Sequence, residues 1–313
     1  MGRYIGKRLL MMVFLLLGMT FIVFASLHLA PGDPAEMVAG LNATPEDIER
    51  VRASLGLDRP FLIQYLTYLK NLVTMNLGMS FTTRQPIAQE IAVRLPHTLN
   101  LASASILLSI LIGVPAGIIT ALNKDRLLDN VISTGAMVGI SIPNFWLGTM
   151  LIYLFSVVLR WLPSGGMTAP FWTAEGFRQA ILPAAALSTA TIASFTRIGR
   201  SAMLEVLQSD YIRTAKSKGL PGRSVIYIHA LRNALIPLFT QFGTSFGGLL
   251  GGAVITEQVF VVNGVGTYLI TAINTRNYPV VQSTVLIIAG LFIIVNLIVD
   301  LLYVVIDPRI QYT

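Results

Sequence analysis

Six charge-free stretches stand out in this chain, and together they dictate what it can fold into. They cover residues 9–32, 95–123, 130–159, 179–196, 233–256 and 277–299, that is 24, 29, 30, 18, 24 and 23 residues. A lone charge at the centre of a membrane-spanning helix costs about 2.5–3.5 kcal/mol, and a hydrocarbon core of about 30 Å takes about 20 helical residues. All six intervals reach or approach that length. The 54% hydrophobic and 12% charged residues agree, because a soluble domain carries about 25% charge. The expectation is an all-α membrane protein with six transmembrane helices.

Arg3, Lys7 and Arg8 precede the first interval, as in a secretory signal. A signal core is only about 7–15 residues, whereas this run passes Phe21, Ile22, Val23 and Phe24 to Pro31. It reads as a retained helix.

Basic connections mark the cytoplasmic side. They are the N-terminal tail, Lys124 with Arg126, and the segment holding Arg197, Arg200, Arg213, Lys216, Lys218, Arg223 and Arg232. Six spans then place both termini in the cytoplasm. The net charge of +7 follows from this topology; with no basic, aromatic-interleaved patch, nucleic acid is not an expected partner.

Residues 33–94 fall on the opposite side and are nearly charge-balanced, with seven acids and six bases. Thr44, Pro45, Glu46 and Asp47 supply a cap, a proline at the first helical position and first-turn acids; Ile48, Val51 and Leu55 follow at helical spacing. Phe61, Leu62, Tyr65, Leu66 and Leu69 make a second amphipathic stretch. The segment is expected to be a small helical extracytoplasmic subdomain. The domain reading is a tail and first helix over 1–32, this subdomain over 33–94, and a five-helix core over 95–313 containing a cytoplasmic loop at 201–235.

Several chemistries lack their residues. There are no cysteines, so thiolate chemistry and Cys-ligated metals are out. No Gly-rich turn leads into Lys-Ser/Thr, so the chain has no phosphate-cradling loop of that kind. His28, His97 and His229 are scattered, which leaves metal catalysis unsupported. Ser141 and Ser245 have no base in a span with them. Ion-driven carriers and selective channels keep ionisable groups inside the bilayer. Here Glu257 and Asp300 only border the intervals and read as interface charges. The pattern suits a pathway wall whose energy comes from elsewhere.

The most informative polar segment is Ser209 to Gly222. Ser209 or Asp210 can cap a helix, Lys216 and Lys218 suit its C-terminal dipole, Gly219 can take a left-handed stop and Pro221 forbids continuation. Helices this short are marginal alone in water, so this one must dock. Tyr211, Thr214, Ala215 and Lys218 share a face, with Arg213 and Lys216 flanking it for an acidic partner. The alternative is that these bases only enforce topology. Residues 223–232 read as a second helical stretch entering the membrane near Pro237.

An ordered set of motifs now becomes visible. It contains Leu29-Ala30-Pro31-Gly32-Asp33-Pro34, Leu55-Gly56-Leu57-Asp58-Arg59-Pro60 and Leu77-Gly78-Met79-Ser80. The run Asp210-Tyr211-Ile212-Arg213-Thr214-Ala215-Lys216-Ser217-Lys218-Gly219 follows, then His229-Ala230-Leu231-Arg232-Asn233-Ala234, Asn277-Tyr278-Pro279 and Asp307-Pro308-Arg309. In these, over nearly its whole length, the chain resembles the membrane permease subunits of bacterial ABC importers, in the dipeptide/oligopeptide branch that includes nickel and glutathione systems. These systems share the signatures, so the resemblance names a branch and no single cargo.

The resemblance implies a type I ABC importer permease fold in the bacterial inner membrane. It implies a second homologous permease, forming a heterodimer, with two ATPase subunits and an external solute-binding protein. This chain would bind no cofactor; ATP and Mg would be held by the ATPase subunits, and the chain would not be an enzyme. In that family the short helix corresponds to the loop that enters a cleft of the ATPase. Asp210, Tyr211, Arg213, Thr214, Ala215, Lys216, Lys218 and Gly219 are thus the expected coupling residues. Aligned on Gly219, the family's Glu-Ala-Ala positions are Arg213, Thr214 and Ala215, of which Ala215 keeps the general consensus. The alternative reading is a stand-alone secondary transporter or channel.

In the fifth interval Thr240, Thr244, Gly247 and Gly251 recur at helical spacing, beside Gln241, Ser245, Gly248 and Gly252. Hydroxyls and exposed backbone in a stripe could line a path, which makes Thr240, Gln241, Thr244, Ser245 and Gly248 the pathway candidates. Small residues at this spacing also pack helices closely. Pro115, Pro143, Pro183 and Pro237 are expected kinks.

Overall fold

The computed structural model describes residues 2–29, 33–40, 43–74 and 76–306, and helices dominate them. In chain order they are α1 (Gly2–Leu29), α2 (Pro34–Ala39), α3 (Pro45–Leu55), α4 (Phe61–Val73), α5 (Ile87–Leu122), α6 (Leu127–Ser141) and α7 (Asn144–Leu151). Then come α8 (Ala174–Leu207), α9 (Asp210–Ser217), α10 (Gly222–Ser224), α11 (Leu231–Val259), α12 (Val265–Asn274) and α13 (Tyr278–Ile306). Wide π-type turns at Ile152–Val158 and Val225–Ala230 prolong α7 and lead into α11. Residues 30–32 and the closing Asp307-Pro308-Arg309 lie outside the described residues, as does the side chain of Asp300.

Four runs are long and apolar enough to cross a membrane: Ile87–Leu122, Ala174–Leu207, Gly222–Val259 and Tyr278–Val299. A fifth crossing is available from Leu127–Ser141 and Asn144–Val158, which meet at 101°. The sequence reading treats residues 130–159 as one interval with a kink at Pro143, and the structure shows that kink as a full break between two helices. Ile142 adopts an extended backbone, because Pro143 pushes its predecessor out of the helical region. By contrast α8 and α11 continue through Pro183 and Pro237. The apolar part of the first interval is the shorter run Leu10–Ser26 within α1.

The chain divides into two compact units, residues 1–96 with 264–291, and residues 97–263 with 292–313. This division differs from the sequence-based one by joining residues 264–291 to the segment before residue 97.

In the first unit, Thr44 and Asp47 form a reciprocal capping box at α3, which ends at Gly56 in the left-handed region (φ 68°). Asp33 caps α2 and pairs with Arg52 of α3. Phe24 of α1 meets three rings of α4, edge-on to Phe61, tilted against Tyr65 and stacked on Tyr68. His28 bridges the Phe24 carbonyl and the Gln64 amide, a packing role. Ile87, Ile91, Val265, Leu269 and Val280 form a core. Beside it two of the quoted motifs meet, as the Asn277 amide donates to Ser80 Oγ at 2.9 Å and accepts the Phe81 N–H at 3.3 Å.

In the second unit α5 and α8 approach at backbone distance. A Cβ added at Gly113 would stand 2.7 Å from the Ile192 carbonyl oxygen, and one at Gly117 would stand 2.7 Å from that of Thr196. Small residues buy such proximity between membrane helices. Two charged groups depart from the sequence reading. Glu257, read as an interface charge, is 0% exposed and accepts from Thr98 Oγ1 at 2.6 Å. Arg200, counted among the topology-setting bases, clamps Asp129 of α6 through two bonds of 2.7 and 2.6 Å. The Asp125 N–H and Ser133 Oγ also donate to that carboxylate. A buried carboxylate needs such saturation, because an unpaired buried charge costs several kcal/mol.

Candidate functional site

The candidate coupling helix, α9, is built by its ends and its underside. Ser209 has the extended backbone of an N-cap, but its side chain makes no cap bond. Its hydroxyl donates backward to the Val206 carbonyl at 2.6 Å, which satisfies the end of α8 instead. The expected Ser209 cap is thereby corrected. Asp210 stays in the first turn, where its charge suits the dipole, and pairs with Arg213 at 3.5 Å. Both side chains are largely exposed, so this pair adds little.

The C-terminal end follows the sequence expectation. Gly219 takes φ 78°; its N–H reaches the Lys216 carbonyl at 3.0 Å and the Leu220 N–H reaches that of Ala215 at 3.4 Å. These are the two bonds of a Schellman stop.

The underside is where sequence reasoning fell short. Ile212 is 0% and Ala215 8% exposed, sealed in a cluster with Ala121, Met203, Val225, Ala230 and Ala234. Ala215 therefore faces this chain's own core, not the outer face to which the sequence assigned it. Ile212 was missed as an anchor. Its 3-residue offset from Ala215 was a usable signal, but the partners come from distant parts of the chain. A further tie holds the exposed Tyr211, whose hydroxyl accepts from Asn233 Nδ2 of α11 at 2.8 Å. Asp210, Arg213, Thr214, Lys216, Lys218 and Gly219 remain exposed, an outward face of three bases and one acid.

The candidate pathway residues split by register along α11. Thr240, Thr244 and Gly248 are exposed, and a Cβ at Gly248 or Gly251 would meet nothing within 4 Å. Gly247, which the spacing put in the same stripe as Thr240, is instead packed on the Phe292 ring of α13; Gly243 packs on Val299. Gln241 and Ser245 are half-buried. Gln241 Nε2 donates to Ser194 Oγ of α8 at 3.0 Å and to Ser245 Oγ at 2.8 Å, so Gln241 is committed to a polar contact between α11 and α8 and Ser245 to one within α11. The Thr244 hydroxyl is satisfied within its own helix by the Gln241 carbonyl at 3.1 Å. No side chain in this stripe is a nucleophile with a base, and its polar groups can only solvate or pack.

Long apolar helices, a short capped helix seated on their ends and a wall without reactive groups define a multi-pass membrane protein of the transport class. The chain belongs to the family described as "Binding-protein-dependent transport system inner membrane component", whose pattern matches residues 113–312. The family's N-terminal pattern matches residues 1–102. It is accordingly a permease subunit of an ABC importer and not itself an enzyme. Among similar proteins, the dipeptide transport system permease protein DppB of Alkalihalophilus pseudofirmus is 42% identical over 99% of each chain. The glutathione transport system permease protein GsiC of Escherichia coli O6:H1 is 42% identical over the whole of both. Among solved structures, an inward-facing MetNI methionine ABC transporter aligns with a TM-score of 0.60 at 16% identity, covering 71% of this chain and 99% of that one. At that identity the likeness is one of fold.

Proposed function

We propose that this permease subunit imports peptides or related small solutes, and that α9 transmits work from separate ATPase subunits to the membrane helices. The observation that carries the coupling reading is the construction of α9. It is anchored to the base of α8 and α11 through Ile212, Ala215 and Tyr211, while its basic face stays open. A helix of eight residues cannot stand alone, so a push on its outer face passes into the helices that hold it. The cargo class rests on relatives named for dipeptide and glutathione transport.

In this reading the chain has six spans, with α1 as the first and the bent α6–α7 pair as the third. Residues 197–232 and both termini face the cytoplasm, and residues 33–94 lie outside the inner membrane, facing a solute-binding protein. A second homologous permease completes the path as a heterodimer, and two ATPase subunits hold ATP and Mg. Thr240, Thr244 and Gly248 face that path.

The test is reconstitution of the full assembly in vesicles with a peptide-loaded binding protein. ATP-dependent peptide accumulation is expected, and reversing charge at Arg213 and Lys216 together should weaken ATPase association and uptake in parallel. Uphill uptake by the permeases without the ATPases would establish a stand-alone transporter and overturn the reading. Unchanged assembly in the charge-reversed variant would remove α9 from the coupling role. For the path, cysteines introduced at Thr240, Thr244 and Gly248 should react with a water-soluble maleimide in one transport state and be protected in the other.

A further inference from the structure

The side chains that seat α9 come from α5, α8, α11 and the turns leading into α11, and none belongs to α6. Helix α6 joins that assembly through α8, antiparallel to it and in contact at two levels. Near its start, Asp129 is held by Arg200 of α8. Farther along, a Cβ added at Gly139 would stand 3.0 Å from Thr189 Cγ2. The levels are ten residues apart on α6 and eleven on α8, so the two helices run side by side up to the bend at Pro143. The first level lies beside the α9 seat, because Ala202 and Met203 of that seat follow Arg200 by two and three positions.

Apolar contact fixes the axial position of membrane helices weakly, because lipid chains surround the same side chains equally well. A bidentate arginine–carboxylate pair is directional. Arg200 Nε and Nη2 reach separate oxygens of Asp129, and the Asp125 N–H and Ser133 Oγ fill the carboxylate from the α5–α6 turn and the next turn of α6. Sliding α6 by one turn, about 5 Å, would break the pair and strand a carboxylate that is 2% exposed. Replacing a buried ion pair by well-packed apolar side chains is often neutral or stabilising, so stability does not account for this one. Topology does not either. Arg197, one turn earlier on α8, is exposed and has no ion pair among the described residues, so it supplies positive charge without a buried acid.

We propose that Arg200 and Asp129 are positioning residues for transport. They lock the axial register of α6 to α8, so that a push taken up by α9 carries the bent α6–α7 pair along. The inference rests on the reading of α9 as the coupling helix. Both residues act through the helices they join and not through contact with cargo or nucleotide.

The test uses the full assembly in vesicles, with ATP hydrolysis, peptide uptake and an electron-spin distance read on the same samples. Nitroxides are attached at M137C and S201C, exposed positions of α6 and α8 in a chain without cysteine. With the pair intact, the distance should be single and equal in the ATP-bound and nucleotide-free states. In R200Q and D129N it should spread or shift by up to a helical turn, about 5 Å. Assembly and ATP hydrolysis should persist in both variants, while peptide imported per ATP falls about fivefold or more, the low end of a usual coupling interaction. R200K, which keeps the charge without the planar fork, should recover part of that ratio. R197Q should behave as the parent.

A pair that only braces the fold would lower assembly, hydrolysis and uptake together and leave peptide per ATP unchanged, and that outcome would overturn the proposal. So would a distance between positions 137 and 201 that changes with nucleotide state while the pair is intact, a reading that needs no variant at Arg200 or Asp129 to fold. Failure of α9 as the coupling helix is read separately. R213E/K216E would then leave assembly and uptake as they were, whatever the distance between α6 and α8.

Discussion

Helix α3 has eleven residues and buries none of them, whereas α9 has eight and seals Ile212 and Ala215 completely or nearly so. The two short helices are held by opposite means. In α3 the Thr44–Asp47 capping box and Gly56 satisfy the ends locally. In α9 no side chain caps the first turn, and the stability comes from side chains belonging to α5, α8 and α11. A helix held by its own ends can shift alone. One held by its neighbours carries them with it, which a lever requires and a surface helix does not.

Ile212→Ala should break this contrast most strongly. Truncating a buried isoleucine costs about 2–5 kcal/mol, so amide exchange over residues 210–217 should rise by roughly 30-fold or more, with ATP-driven uptake falling alongside. Exchange unchanged from the parent would mean that Ile212 does not anchor α9. Next is Gly219→Val: a β-branched residue at φ 78° costs about 1–3 kcal/mol, and fraying should be confined to the last turn of α9. Thr44→Ala should remove about 1 kcal/mol from α3, read as faster exchange at residues 45–48, and leave uptake as it was. The smallest effect belongs to Ser209→Ala. Its hydroxyl caps nothing in α9, so exchange there should change by less than about threefold, against the roughly fivefold or larger change that a true cap would show.

The same contrast decides what was legible from residue order. The start of α3 could be read because Thr44, Pro45 and Asp47 act within one turn, and the stop of α9 because Gly219 and Pro221 act on their own backbone. The seat of α9 could not, since Ala121, Met203 and Ala230 reach Ile212 only after the long helices have packed. Charge-free intervals located the spans but carried no angle, so the 101° bend at Pro143 was invisible as more than a kink. Hydropathy placed Glu257 at an edge because Thr98, its partner, lies 159 positions away. Along α11 the periodicity was right to within one residue. That residue separated Gly247, pressed on Phe292, from Gly248, which is open.

The clamp between Arg200 and Asp129 has a consequence for how the protein is made. Its two ends are 71 positions apart, and synthesis delivers the aspartate first. Until the arginine emerges from the ribosome, the bent α6–α7 pair lacks its anchor, so this part of the chain reaches its final seat only late in membrane insertion.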